Sequence, residues 1–202
     1  MKREKFEVVS GKMILSDPCY SVPTWCQGVV ENVKNGEWIG IAELTNQGSW
    51  GDRISMLLSM NVDAMEKNSN LEQELITSGK PLPFEGGVDS GQFGHFDFDN
   101  YRKDELAINL VKAFEDDYST EVGDEWYRAC CEITLHREFG AMPFGIVSTS
   151  GFGDGGYTTY GIKDDSGQYV GFMTIFIDDE DEDDYDEYAQ FNGYDNEEDD
   201  EE

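Results

Sequence analysis

Residues 144–177 read FGIVSTSGFGDGGYTTYGIKDDSGQYVGFMTIFI, and the order of strand and turn signals in this stretch decides the fold class. Segments 144–150 and 157–163 have the composition of β-strands, and the DDSG turn at 164–167 sends the chain into QYVGFMTIFI at 168–177. That last run is apolar on both faces, as a strand in the middle of a sheet must be.

The connection between the first two strands holds four glycines and one aspartate in the six positions Gly151 to Gly156. A phosphate cradle needs backbone N–H groups converging at the start of a helix, with a lysine at hand. Here β-forming residues follow the loop and the next lysine is Lys163. A calcium loop needs oxygen ligands at alternating positions, whereas Asp154 is followed by no further carboxylate until Asp164. The stretch therefore reads as a turn whose glycines take positive φ, with Asp154 hydrogen-bonding the local backbone.

Outward from this region the same alternation recurs. RISMLLSMNV at 53–62 places Ile54, Met56, Leu58, Met60 and Val62 on one face of a half-buried strand. EWIGIAEL at 37–44 is a further strand, preceded by Gly36, a natural stop for a short helix over Thr24 to Asn35. Two segments change to helical spacing. KDELAINLVKAF at 103–114 aligns Leu106, Leu110, Val111 and Phe114, and residues 123–136 align Trp126, Ala129, Cys130 and Ile133, which points Cys130 at the core. The expected class is α+β, a mostly antiparallel sheet with two or three covering helices.

A chain of 202 residues suits one domain, expected over 1–177. The remaining residues, 178–202, contain 16 acidic and no basic side chains, and are expected to form a disordered tail. Within it Tyr185, Tyr188, Phe191 and Tyr194 recur every third residue, an acidic and aromatic stripe suited to a basic, aromatic-lined groove. The net charge of −30 repels phosphate backbones and anionic lipid, which argues against direct nucleic-acid or membrane binding. Glu4, Glu7 and Lys12 interrupt any signal-peptide core, and no apolar run approaches the roughly 20 residues of a membrane span. The expected compartment is the cytoplasm, with Cys19, Cys26, Cys130 and Cys131 as free thiols whose spacing suits zinc poorly.

Three aspartates sit at sharp turns in separated segments: Asp17 before Pro18, Asp89 before Ser90 and Gly91, and Asp154 in the glycine loop. They either converge at one sheet edge, where a divalent cation would find oxygen ligands, or each caps its own turn. VDSGQ is like the nucleophile turn of trypsin-like proteases, but both histidines follow Ser90 and Gln92 replaces the second glycine. Cys19 with His95 or His136 would make a thiol nucleophile, against which the surrounding negative charge acts by raising the thiol pKa.

The segments SGKMILSDPCY (10–20), GVDSGQFGHFDFDNY (87–101) and STSGFGDGGYTTYGIKDDSGQYVGF (148–172) resemble a family of bacterial and bacteriophage proteins with DPCY, VDSG and GDGxY elements, similar to domain of unknown function 4241. The resemblance implies an intracellular single domain encoded by a phage or mobile element. It singles out Asp17, Pro18, Cys19, Tyr20, Asp89, Gly91, Gly153, Asp154, Gly155 and Tyr157, and does not include the acidic tail. The leading functional expectation is a non-enzymatic acidic binding protein, an inhibitor or nucleic-acid mimic that occupies a basic site on a host protein, itself of a nucleic-acid-binding kind. The alternatives are a small metal-binding protein or enzyme using Asp17, Asp89 and Asp154, and a domain whose acidity serves solubility alone.

Overall fold

The computed structural model describes residues 1–114 and 124–178. In chain order the elements are β1 (Lys2–Val8), β2 (Lys12–Ser16), β3 (Gly28–Glu31), β4 (Gly36–Asn46), β5 (Asp52–Asn61), α1 (Val62–Lys67), α2 (Leu71–Ser78), β6 (Lys80–Val88), β7 (Gln92–Asp97), α3 (Asp104–Phe114), α4 (Glu125–Arg137), β8 (Phe139–Met142), β9 (Gly145–Thr149), β10 (Gly155–Lys163) and β11 (Tyr169–Ile175). The strands form two sheets, ordered β1-β4-β5-β11-β10-β6 and β3-β2-β7-β9-β8, antiparallel throughout. The expected α+β class holds, with four α-helices among the described residues.

The two sheets pack face to face. Trp38, Leu57 and Phe172 of the larger sheet meet Met13, Phe93 and Ile146 of the smaller one in a single apolar cluster that extends from Phe6 to Ile177. The outer face of the smaller sheet presents Ile14, Phe96 and Val147 to Ala107 and Val111 of α3 and to Trp126 and Cys130 of α4. On the outer face of the larger sheet, Leu58, Met60 and Met173 pack with Leu75 of α2. The layers therefore run helix, sheet, sheet, helix, and β11 is an interior strand, apolar on both faces as its sequence requires.

Two expectations are corrected. Residues 53–62 do not keep one face throughout, because the β4–β5 register shifts between Glu43 and Leu44. Ile54 consequently joins Leu57 between the sheets, while Leu58 and Met60 face outward. Ser59 and Asn61, which alternate with that apolar set, are buried as well, and Val62 opens α1, where the Asn61 side chain accepts from Ala64 N at 3.1 Å. Residues 24–35 form β3 and its flanking loops rather than a helix. Val29 and Val30 favour a strand, and at Gly28 an added Cβ would lie 2.0 Å from the Phe84 ring, so the strand docks where only glycine fits. The tail and its stripe Tyr185, Tyr188, Phe191 and Tyr194 lie outside the described residues, which end at Asp178.

Candidate functional site

The DPCY turn begins where β2 ends, and its aspartate is fully buried. Asp17 Oδ1 accepts from Cys19 N at 2.8 Å and Ser90 Oγ at 2.6 Å; Oδ2 accepts from Asp89 N at 2.9 Å and Ser90 N at 2.8 Å. Four donors offset the cost of removing a carboxylate from water, and they stitch the DPCY turn to the VDSG turn. The same turn is held from its other side. The Tyr101 hydroxyl donates to the Tyr20 carbonyl at 2.8 Å, and Arg102 Nη1 donates to the Pro18 carbonyl at 2.6 Å while Nη2 reaches Asp124 Oδ1 at the start of α4.

The glycine loop is tied in a similar way. Gly151 and Gly153 take φ of +59° and +118°, the backbone freedom the sequence required. Ser150 Oγ donates to the Gly153 carbonyl at 2.9 Å, the Tyr157 hydroxyl donates to that same oxygen at 2.7 Å, and Ser150 N reaches the Gly91 carbonyl at 3.1 Å. Gly91 is itself at φ +69°. The bonds expected of Asp154 are thus supplied by Ser150 and Tyr157, and Asp154 is exposed. The loop leads into β10, not a helix, so its N–H groups do not converge as a phosphate cradle requires.

Asp89 and Asp154 do come together, at a cleft of about 630 Å³ whose walls also include Tyr20, Trp25, Cys26 and Glu85. Gly156 makes room for one wall: an added Cβ would lie 2.2 Å from Glu85 Oε1. Burial raises the Tyr20 hydroxyl pKa above the ordinary phenol value, with hydrogen bonding to Asp89 and to Cys26 acting in the same direction. Among the described residues no lysine or arginine forms an ion pair with Glu85, Asp89 or Asp154. Asp17 is not with them as a ligand, because both of its oxygens are taken by N–H and O–H donors. Among the described residues there is no group of three His, Cys, Asp or Glu placed to hold a metal ion.

The nucleophile candidates are occupied as well. Ser90 gives its hydroxyl proton to Asp17, and the Cys19 thiol is pushed up to about 12 by burial and then by hydrogen bonding to Asp17. His95 lies fully buried between the sheets, with Nδ1 at 2.8 Å from Ser59 Oγ and Nε2 at 2.9 Å from Thr174 Oγ1, which in turn lies 2.8 Å from Thr159 Oγ1. Both ring nitrogens are therefore used within the core, and burial lowers the imidazole pKa to about 3. His136 is exposed on α4, stacked on Phe114 and 3.2 Å from Glu132. Cys130 is buried as its helical position predicts, and burial holds its thiol well above the ordinary value.

Trp25 and Glu85 were not singled out in the sequence, and Cys26 was read there only as a free thiol. The available signal was a tryptophan in the polar segment SVPTWCQG, where nothing periodic calls for one. Among the described residues no helix is long and apolar enough to cross a membrane. Comparison with protein-family models, curated proteins and solved structures returns no match for this chain.

Proposed function

We propose that this chain is a non-enzymatic acidic protein that binds a basic partner, and that it acts as an inhibitor or nucleic-acid mimic on a host protein. The observation that carries this reading is the cleft in which Glu85, Asp89 and Asp154 face solvent with no ion pair to a lysine or arginine among the described residues. Carboxylates spaced along a surface substitute for phosphates, and a net charge of −30 speeds encounter with a cationic site. The metal or enzyme reading loses one of its three aspartates to the turn it braces, and Ser90, Cys19 and His95 are all engaged elsewhere. A bacterial cytoplasm and a phage or mobile-element origin fit a protein of this kind.

The test is capture from a bacterial lysate on the immobilised full chain, followed by identification of the bound proteins. A nucleic-acid-binding protein released as salt rises, and displaced by heparin or short DNA, is the expected catch, because exposed charge attraction is screened over about 10 Å at 0.1 M. A catch that survives 1 M salt and ignores DNA, or a lysate that yields no basic protein, overturns the proposal.

A further inference from the structure

One loop connects features that the charge balance alone does not relate. Residues 154–156 form part of the acidic cleft. Two positions earlier, Phe152 packs edge-on against Trp50 at the tip of the β4–β5 hairpin, ring centroids 6.3 Å apart. One position before that, an added Cβ on Gly151 would lie 3.0 Å from Phe176 and from Ile177, whose N–H groups bond the Ser55 carbonyl as the chain leaves β11. Asp178, the last described residue, thus follows directly on residues packed against the loop.

The aromatic rings here are unusually bare. Trp25 is 91% exposed, Trp50 67% and Phe152 51%. Large aromatic side chains left in water next to unpaired carboxylates form a surface with two complementary requirements, a flat cation and a desolvated face.

We propose that the loop from Ser150 to Gly156 is the centre of a docking surface for an arginine-bearing segment of a basic protein; this rests on the function proposed above and names where and what it binds. A guanidinium stacks on an indole while its N–H fork engages a carboxylate, so one arginine uses Trp25 together with Asp89 or Asp154, and the next uses Trp50. An ammonium engages the carboxylates only as a point charge. A second copy of the chain brings another −30 to the interface, and the chain's own tail meets carboxylates with carboxylates, so both are repelled where an arginine segment is attracted.

The experiment uses the full chain and two labelled peptides, one of Arg-Ser repeats and one of Lys-Ser repeats of equal length, followed by fluorescence anisotropy. The Arg peptide should bind at least about 5-fold more tightly, and Trp25→Ser and Trp50→Ser should each weaken it by roughly 3- to 10-fold with unchanged Tm. The Glu85→Gln, Asp89→Asn, Asp154→Asn triple variant should weaken it further and flatten its salt dependence. Equal affinity for both peptides overturns the arginine assignment. Salt-sensitive binding that ignores all of these substitutions overturns the surface and leaves the basic-partner function standing, whereas failure of both peptides to bind at low salt removes both. Concentration-dependent self-association abolished by Trp50→Ser would replace the arginine segment by a second copy.

Discussion

Replacing Asp17 by asparagine would turn one acceptor oxygen into an N–H₂ group facing the donors that now converge on it. The expected cost is roughly 3 kcal/mol, read from urea unfolding, because a buried donor set would lose its acceptor. Asp154→Asn, at an exposed position, should stay within about 0.5 kcal/mol of the parent. Similar losses at both sites would show that Asp17 is not the brace its contacts describe. His95 offers a pH test. Its folded pKa, about 3, lies below the ordinary value of 6.5, so the unfolded chain binds a proton that the folded chain refuses. Stability from this residue is complete above pH 6.5 and falls as pH drops toward 3, with a slope approaching about 1.4 kcal/mol per pH unit. His95→Gln should remove that component from the pH dependence of unfolding, and an unchanged slope would contradict the assignment. Of these two residues, the sequence marked Asp17 through its turn chemistry, but three of the four donors that occupy it come from a segment more than 70 positions away, a tertiary fact. His95 carried no local signal that distinguishes a ring buried between sheets from a catalytic one.

At the scale of elements, legibility followed periodicity. β10, β11, α3 and α4 were predicted close to their observed bounds because their apolar spacing is regular and their turns are marked by Gly and Asp. β6 and β7 went unassigned, since Gly86, Gly87 and Gly94 interrupt their pattern at places where Phe93, Cys26 and Phe96 press close. β3 was mistaken for helix because Gly36 reads as a helix stop, while the close approach of the Phe84 ring to Gly28 leaves no mark in the local pattern. Gly28→Ala should therefore cost about 1–3 kcal/mol through overpacking, and Phe84→Leu in the same chain should recover part of the loss. Additive losses in that double-mutant cycle would mean the two residues do not touch in solution.

For the whole molecule, the charge balance predicts behaviour that no single contact does. Residues 1–177 carry 28 acidic and 14 basic side chains, and the other 16 acidic side chains all lie beyond Ile177. Removing 179–202 should leave Tm nearly unchanged or raise it slightly, and adding about 0.3 M NaCl should raise Tm of the full chain by screening self-repulsion. Loss of cooperative melting on truncation would move the domain boundary into the tail. That the chain folds as two stacked sheets was hidden in the sequence, because strands apolar on both faces look alike whether helices or a second sheet cover them. The position of β11 in the larger sheet also has a mechanical meaning. Tension applied beyond Asp178 would pull on a strand laddered to β5 on one side and β10 on the other. Its hydrogen bonds lie across the line of pull and share the load, where an edge strand peeled from its end would surrender them one after another. Force applied at this end of the described chain would therefore be carried by two ladders at once instead of by a single edge.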